Sequence, residues 1–345
     1  VDLENGVLSE FTGTPTNASL DGVEPRSFRL EIPRGLSFNE RGDLFFVDQR
    51  AGRVFRADAA SGQYPPDGTV QTVAGSGGIS VFTHGFAGDD GPAVEAQLNQ
   101  PHDVAVSASG ELYIADTGNH RIRRVGTDGT ITTLAGSGRG DSPFDLETLT
   151  LVPDALAVQP ASAQGGYDPA DEGQPANTAQ LNLPTHVEVA PNGDVYFADY
   201  LNLRGRRVRA GSLDTVAGDG DDVYDGPSGP SIGYVADTSM SADGVLWILS
   251  STRDGGVARF GLWRFEPAGG VLNEVLELAP AAAGSRFTGL AVSDRGGFYE
   301  IFFSEDDDDN DDEDEFIWRV IANGSGTVND APVVYSGPRA DPADF

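Results

Sequence analysis

Three stretches of this 345-residue chain repeat one pattern, and that repeat limits the possible folds more than any other feature. They are Pro33–Arg56 (PRGLSFNERGDLFFVDQRAGRVFR), Pro101–Arg124 (PHDVAVSASGELYIADTGNHRIRR) and Pro184–Arg209 (PTHVEVAPNGDVYFADYLNLRGRRVR). Each has an alternating strand, a tight turn ending in Gly, a second strand closing on Asp, a polar loop, and a third strand carrying Arg. A fourth strand follows each, at Val70–Ala74, Thr130–Ala135 and Leu213–Ala217, closing with TVAGSG, TLAGSG and TVAGDG. Two degenerate copies lie further on, Tyr234–Ser250 (YVADTSMSADGVLWILS) and Phe287–Phe303 (FTGLAVSDRGGFYEIFF). The turn glycines Gly42, Gly110, Gly193, Gly244 and Gly296 put all five copies in phase.

Period-2 alternation between glycine turns is the mark of strands, and no segment carries a helical period. Four strands per repeat predict an all-β fold, a β-propeller, because a row of separate four-stranded sheets leaves edges and faces exposed unless it closes into a ring. The reading is one domain over residues 1–345 with five blades, and a sixth only if the insertion at about 139–180 hides one. Leu149–Leu151 and Ala155–Val158 are the candidate strands within it. The N-terminal stretch Val7–Thr12 is expected to add a strand to the last blade and close the ring.

The run from Gly85 to Val125, GFAGDDGPAVEAQLNQPHDVAVSASGELYIADTGNHRIRRV, resembles the NHL repeat and its preceding linker in bacterial extracellular proteins. Asn119 and His120 match the part that gives the repeat its name. The resemblance is strong over Gly85–Gly138 and weak beyond Tyr234. It implies a propeller, commonly of six blades, so a count of five departs from it. It leaves function open, since such propellers serve as binding domains, sensor domains and occasional enzymes.

Charge excludes some partners. Twenty-two basic residues, all Arg, face 54 acidic ones, for a net charge of −32. Such a surface repels nucleic acid and anionic lipid and suits a saline setting. No stretch is apolar enough to span a membrane. There is no Cys, hence no disulfide or thiolate site. A phosphate loop with Lys is ruled out, so no nucleotide cofactor is expected. The chain begins at Val1 without a visible signal peptide, as if a leader had been removed or left out, and the expected location is secreted or periplasmic.

Residues that recur in three blades read as scaffold. These are Asp48, Asp116 and Asp199, each expected to pair with the Arg that follows: Arg53, Arg121, and Arg206 or Arg207. His120, Trp247, Trp263 and Trp318 are read the same way. Function belongs where the copies differ. The linkers Thr14–Leu30, Gly75–Gln97, Gly138–Gln180 and Gly218–Gly233, and the acidic loop Glu305–Glu315, all fall on one face. An unknown protein, peptide, glycan or small molecule is expected there. The acidic run is read as a solvated, salt-adapted loop.

Counting seven residues back from each anchor glycine gives Gly35, Asp103, His186, Asp237 and Gly289 at the channel mouth. Asp103, His186 and Asp237 form a candidate site for a divalent metal such as Ca²⁺ or Zn²⁺. His102 and Arg34, one position earlier, are expected to point elsewhere or onto the rim. Two functions follow: an extracellular ligand-binding propeller, or a metal-dependent hydrolase or lyase. In the second, the metal polarises a carbonyl or activates water, and Glu188 or His186 handles protons. The resemblance brings in the lactonase-like propellers with Ca²⁺ and the amidating lyase with Zn²⁺. The likeness to the lyase rests on PHDVAV and PTHVEV alone.

Overall fold

The computed structural model describes residues 22, 30–59, 68–77, 85–138, 167–223, 226, 231–254, 257–278, 286–294, 298–306, 316–323, 327–328 and 333–336. They form twenty strands in five four-stranded antiparallel sheets. Blade 1 is β1 (Pro33–Phe38), β2 (Leu44–Asp48), β3 (Arg53–Ala57) and β4 (Val70–Ala74). Blade 2 is β5 (Asp103–Val106), β6 (Leu112–Asp116), β7 (Arg121–Val125) and β8 (Ile131–Ala135). Blade 3 is β9 (Pro184–Val189), β10 (Val195–Asp199), β11 (Arg204–Arg209) and β12 (Ser212–Ala217). Blade 4 is β13 (Tyr234–Met240), β14 (Leu246–Asp254), β15 (Val257–Glu266) and β16 (Val271–Leu278). Blade 5 is β17 (Arg286–Asp294), β18 (Phe298–Asp306), β19 (Phe316–Asn323) and β20 (Val333–Ser336). In every sheet the strands follow chain order, so the first is innermost and the fourth outermost. The chain is a five-bladed β-propeller. The expected ring-closing strand Val7–Thr12, the candidate strands at 149–158 and residues 307–315 of the acidic run lie outside the described residues.

The anchor glycines do the work the sequence assigns them. Gly42, Gly110, Gly193 and Gly244 have φ between 83° and 87°, a region costly for a side chain. Each donates its N–H back across the first hairpin, to Asn39, Ser107, Ala190 and Ser241 respectively, at 2.8–3.0 Å. The hairpin register of each blade starts from this turn.

Apolar faces are buried between blades. One cluster joins Phe45, Val47 and Val54 of blade 1 to Val104, Leu112 and Ile114 of blade 2. A second joins Tyr113 and Ile122 of blade 2 to Val187, Phe197 and Val208 of blade 3. Trp263 and Tyr196 sit between blades 3 and 4. Trp247 sits between blades 4 and 5, edge-to-face with Tyr299 at 5.1 Å. Both Trp side chains are inter-blade packing, as their strand positions predict.

The recurring Asp and Arg are scaffold; Asp199 pairs with Arg206 as expected, while Asp116 takes a different arginine from the expected one. Asp116 pairs with Arg123, not Arg121, at 3.0 Å, and both side chains are fully buried. Asp199 pairs with Arg206 at 3.4 Å in the same way. The residue that recurs at the start of the third strand is Arg53, Arg121 and Arg204. These hold carbonyls rather than carboxylates: Arg121 donates to Asn119 and Ser137, Arg204 to Asn202 and Asp219, and Arg53 to Ser76. Arg121, directly across from Asp116, and Arg123, two residues along, share one face; Arg123 reaches the carboxylate diagonally while Arg121 turns to the carbonyls.

Much of the predicted loop face is also scaffold. Residues 85–100 and 167–183 are two copies of one docked linker. In the first, Gly75 donates to Ala93, and Ala93 donates to Gly129. In the second, Gly136 donates to Ala176, and Ala176 donates to Gly211. Each linker therefore fastens the end of one blade to the outer edge of the next. Asp89 completes the Arg123 pair at 2.5 Å and accepts from the Thr133 hydroxyl. Glu172 does the same for Arg206 and Thr215. Phe86 and Tyr167 cap Arg121 and Arg204 at 3.6 and 3.5 Å from the ring centres.

Asp116→Ala leaves Arg123 buried beside only one partial partner. Breaking a buried pair in this way costs about 3–5 kcal/mol. Arg56→Ala, at the partly exposed Arg56–Asp58 pair, is expected to cost less than about 1 kcal/mol. Urea denaturation of both variants checks this; equal losses would contradict the assignment of Asp116 to the core.

Candidate functional site

Adjacent innermost strands of a propeller lie side by side without a backbone ladder between them. Here side chains supply the missing links. The Ser37 hydroxyl of β1 accepts the Val106 N–H of β5 at 3.3 Å. The Asp103 carboxylate of β5 accepts the Val187 N–H of β9 at 2.8 Å. Glu188 of β9 accepts from the Met240 backbone of β13. Asp237 and Ser239 of β13 accept from Leu290 and Val292 of β17 at 2.7 and 3.1 Å. Each described junction thus has an acceptor on one blade holding a backbone N–H of the next. Asp103 and Asp237 also accept from their own following residues, Val104 and Thr238.

This lacing explains why acids line the channel. It also explains Gly35: a Cβ there would stand 1.7 Å from the Asp103 carboxylate. Gly35 donates its N–H to His102 at 3.0 Å, so β1 presses its backbone directly on β5.

Three carboxyls, Asp103, Asp237 and Glu188, face one another across the channel. They are largely buried, with only a minor part of each exposed. Burial pushes Asp103 up to about 7, against hydrogen bonds from Val187 and Val104 that pull it down. Asp237 rises to about 8, from burial first and Asp103 as a further contributor. Glu188 rises well above the usual range through burial and its two acidic neighbours. Like charges this close resist joint ionisation.

Two imidazoles stand at the mouth above the acids. His186 Nδ1 meets the Thr185 hydroxyl at 3.0 Å, and its Nε2 lies 3.7 Å from Asp237 Oδ1. Burial, with Arg34 adding to it, lowers His186 to about 4, so the ring is neutral at pH 7. His102 packs edge-to-face on His186, ring centres 4.9 Å apart. It is 7% exposed, and neither ring nitrogen meets a hydrogen-bond partner among the described residues. Burial, His186 and Arg34 together hold it well below its ordinary value. Arg34 is exposed on β1 and anchored by its Nε, which donates to Gln49 at 3.2 Å.

The structure therefore brings together four of the five residues found by counting from the glycines: Gly35, Asp103, His186 and Asp237. It adds Glu188 and His102. His102, expected to point elsewhere or onto the rim, packs against His186 at the mouth. The register of β1, β9, β13 and β17 shifts at this level, which alters the simple in–out alternation. The expected metal ligands are placed differently from a metal centre. Both oxygens of Asp103 and of Asp237 already accept backbone N–H groups. Among the described residues no group of three or more His, Asp or Glu side chains is disposed to hold a metal ion. The residues as placed do not fit a resident metal. His120, by contrast, accepts the Leu183 N–H at 3.1 Å on its Nδ1 and is part of the scaffold.

The family model of the Teneurin NHL domain matches residues 36–150. Human Teneurin-4 is 32% identical over 156 residues, which cover 42% of this chain and 6% of that protein. The match is thus a small part of a much longer relative. Among solved structures, an auxiliary nutrient binding protein from Bacteroides thetaiotaomicron superposes with a TM-score of 0.50 at 12% identity, over 92% of this chain and 62% of that one. A gluconolactonase from Xanthomonas campestris gives 0.46 at 16% identity, over 90% and 77%. At such identities the likeness speaks to the fold alone.

The channel acids set a pH dependence whose sign is fixed. Asp103 and Asp237 hold protons in the folded state that the unfolded chain loses above its ordinary value of 3.8. Their contribution to stability therefore falls as pH rises through the window from about 4 to about 8. His186 acts oppositely, losing stability as pH falls from 6.5 toward 4. Above pH 6.5 the acids act alone, so unfolding free energy is expected to drop between pH 6.5 and pH 8. Asp237→Asn should flatten that slope in urea titrations; an unchanged slope would place the titrating group elsewhere.

Proposed function

Because the chain is an NHL-repeat β-propeller, we propose that it acts as a binding module taking its ligand at the channel mouth, on the face where linkers and second-to-third-strand loops emerge. The observation that carries this reading is His102. His102, packed on His186, is buried with neither ring nitrogen paired among the described residues. An unpaired buried polar group costs about 1–3 kcal/mol. A ligand that turns the ring toward the channel and completes its hydrogen bonds recovers that free energy.

The composition supports an extracellular or periplasmic setting for such a module. A net charge of −32 with no Lys keeps the surface solvated in salt and free of nucleic acid. No helix among the described residues is long and apolar enough to cross a membrane. Metal-dependent hydrolysis or lysis at the same mouth has no arrangement of ligands among the described residues in its favour.

A thermal-shift screen of small polar molecules, short peptides and glycans tests the reading. Ligands that stabilise the protein are expected to lose at least tenfold in affinity in His102→Phe, which keeps an aromatic ring against His186 and removes both nitrogens. Hits that bind the variant equally well would move the binding site away from the mouth.

A further inference from the structure

The outermost strand of a blade is an edge, and an edge is either covered or open to another strand. In blades 1 to 3 an extended piece of the chain itself lies against it. Gly22 donates to Val70 of β4 at 2.8 Å. Asp90 donates to Ile131 of β8 at 2.8 Å, and Ile131 returns its N–H to Gly91 at 3.0 Å. Gly173 donates to Leu213 of β12 at 2.7 Å, and Leu213 donates to Gln174 at 3.0 Å. No residue of β4, β8 or β12 is exposed.

β16 of blade 4 differs. It is eight residues long, against five or six for the other three. Among the described residues its backbone pairs with β15 alone. Val271, Asn273 and Glu277 are exposed along it. On an antiparallel edge every second residue turns both its N–H and its C=O outward, so a long uncovered edge is a ready template for one more strand.

The charge of this edge is the reverse of its counterparts. In blades 2 and 3 the pairs Arg123–Thr133 and Arg206–Thr215 stand opposite each other at the register shift between the third and fourth strands. Each pair holds the acid of the docked segment, Asp89 or Glu172. At the same shift blade 4 has Trp263 opposite Glu274. The cation is gone and an acid replaces the hydroxyl. Glu277 stands three residues along, its side chain 65% exposed. Arg259 serves both carboxylates, at 2.6 Å from Glu274 and 3.3 Å from Glu277, which leaves the group negative. An acidic segment like those of blades 2 and 3 is repelled here, and a basic one is attracted.

We propose that the outer edge of β16 takes an extended, basic segment of a partner protein as a fifth strand of blade 4. Main-chain hydrogen bonds supply the affinity of such strand addition, and side chains at alternate positions supply the selectivity. A second copy of the chain suits the edge poorly, because both carry a net charge of −32. The surface lies on the outside of the ring, apart from the channel mouth, and does not depend on the binding reading there.

The probe is an octapeptide alternating Lys and Val, with its Glu–Val counterpart and a fully N-methylated Lys–Val peptide as controls. Calorimetry is expected to show binding of the Lys–Val peptide alone. Hydrogen exchange of the complex should slow at β16 by about tenfold or more, with β8 and β12 unchanged. Glu277→Lys, at a mostly exposed side chain, should weaken the Lys–Val peptide about fivefold. The N-methylated peptide keeps the charge and loses the ladder, so equal binding of it reduces the attraction to charge and overturns the proposal. No binding, protection outside blade 4, or indifference to Glu277→Lys does so as well. Slow exchange along β16 in the protein alone assigns the edge to another occupant: this chain itself if sedimentation shows a monomer, a second copy if it shows a dimer.

Discussion

The structure depends on how five innermost strands are held side by side when their backbones form no continuous ladder. Sheets inside each blade satisfy themselves, and apolar faces between blades supply most of the adhesion. Neither fixes the relative height of adjacent blades. The carboxylates and hydroxyls that reach from one inner strand to a backbone N–H of the next do fix it, because a hydrogen bond tolerates only a few tenths of an ångström of slip. Ser37, Asp103, Glu188, Asp237 and Ser239 together lace four junctions. The use of carboxylates at the narrowest part of the ring has a consequence. It places three acids in a confined volume, where their pKa values rise and their proton occupancy becomes sensitive to anything that enters. A device for holding blades in register thus also makes a polar site.

The outer half of the ring answers the same problem differently. Buried Arg123 and Arg206 each bridge two acids, one inside the blade and one from the docked linker. Arg suits this because its fork addresses two carboxylates at once while remaining charged. A buried pair of this kind contributes less to net stability than its Coulomb energy implies, since both charges lose water. What it gives is geometry: the linker seats only where its acid meets the guanidinium. The linker is therefore part of each blade, and the true repeat of the chain is longer than its strands.

The strand repeat was legible because period-2 alternation and turn glycines are local signals. The five blades and the inter-blade positions of Trp247 and Trp263 followed from these alone. Counting back from the glycines also found Asp103, His186 and Asp237 at one level. What was not legible was non-local. Nothing near Asp103 in sequence says that its carboxylate holds Val187, 84 residues away. Pairing Asp116 with Arg121 looked natural by proximity, but diagonal reach favours Arg123. The linkers read as free loops because they lack periodicity. Yet the string AQLN before the entry Pro occurs in both, at 96–99 and 179–182, and was the available signal that they are folded. The contact of His102 with His186 joins two blades and has no signal in the local sequence.

Charge gives the last argument. In a chain so rich in acid, a guanidinium reaches a carboxylate by default, and leaving one without an acid requires an arrangement that keeps acids away from it. Around Arg34 that arrangement is visible. Asp103 and Asp237, on the inner strands of blades 2 and 4, are turned toward backbone N–H groups of the next blades. The neutral amide of Gln49 takes the Nε. His102 and His186 occupy the remaining side as uncharged rings. The lacing that holds the ring together is thus also what withholds the acids from Arg34. The inner strands thus carry laced carboxyls and an exposed guanidinium with no ion pair between them among the described residues.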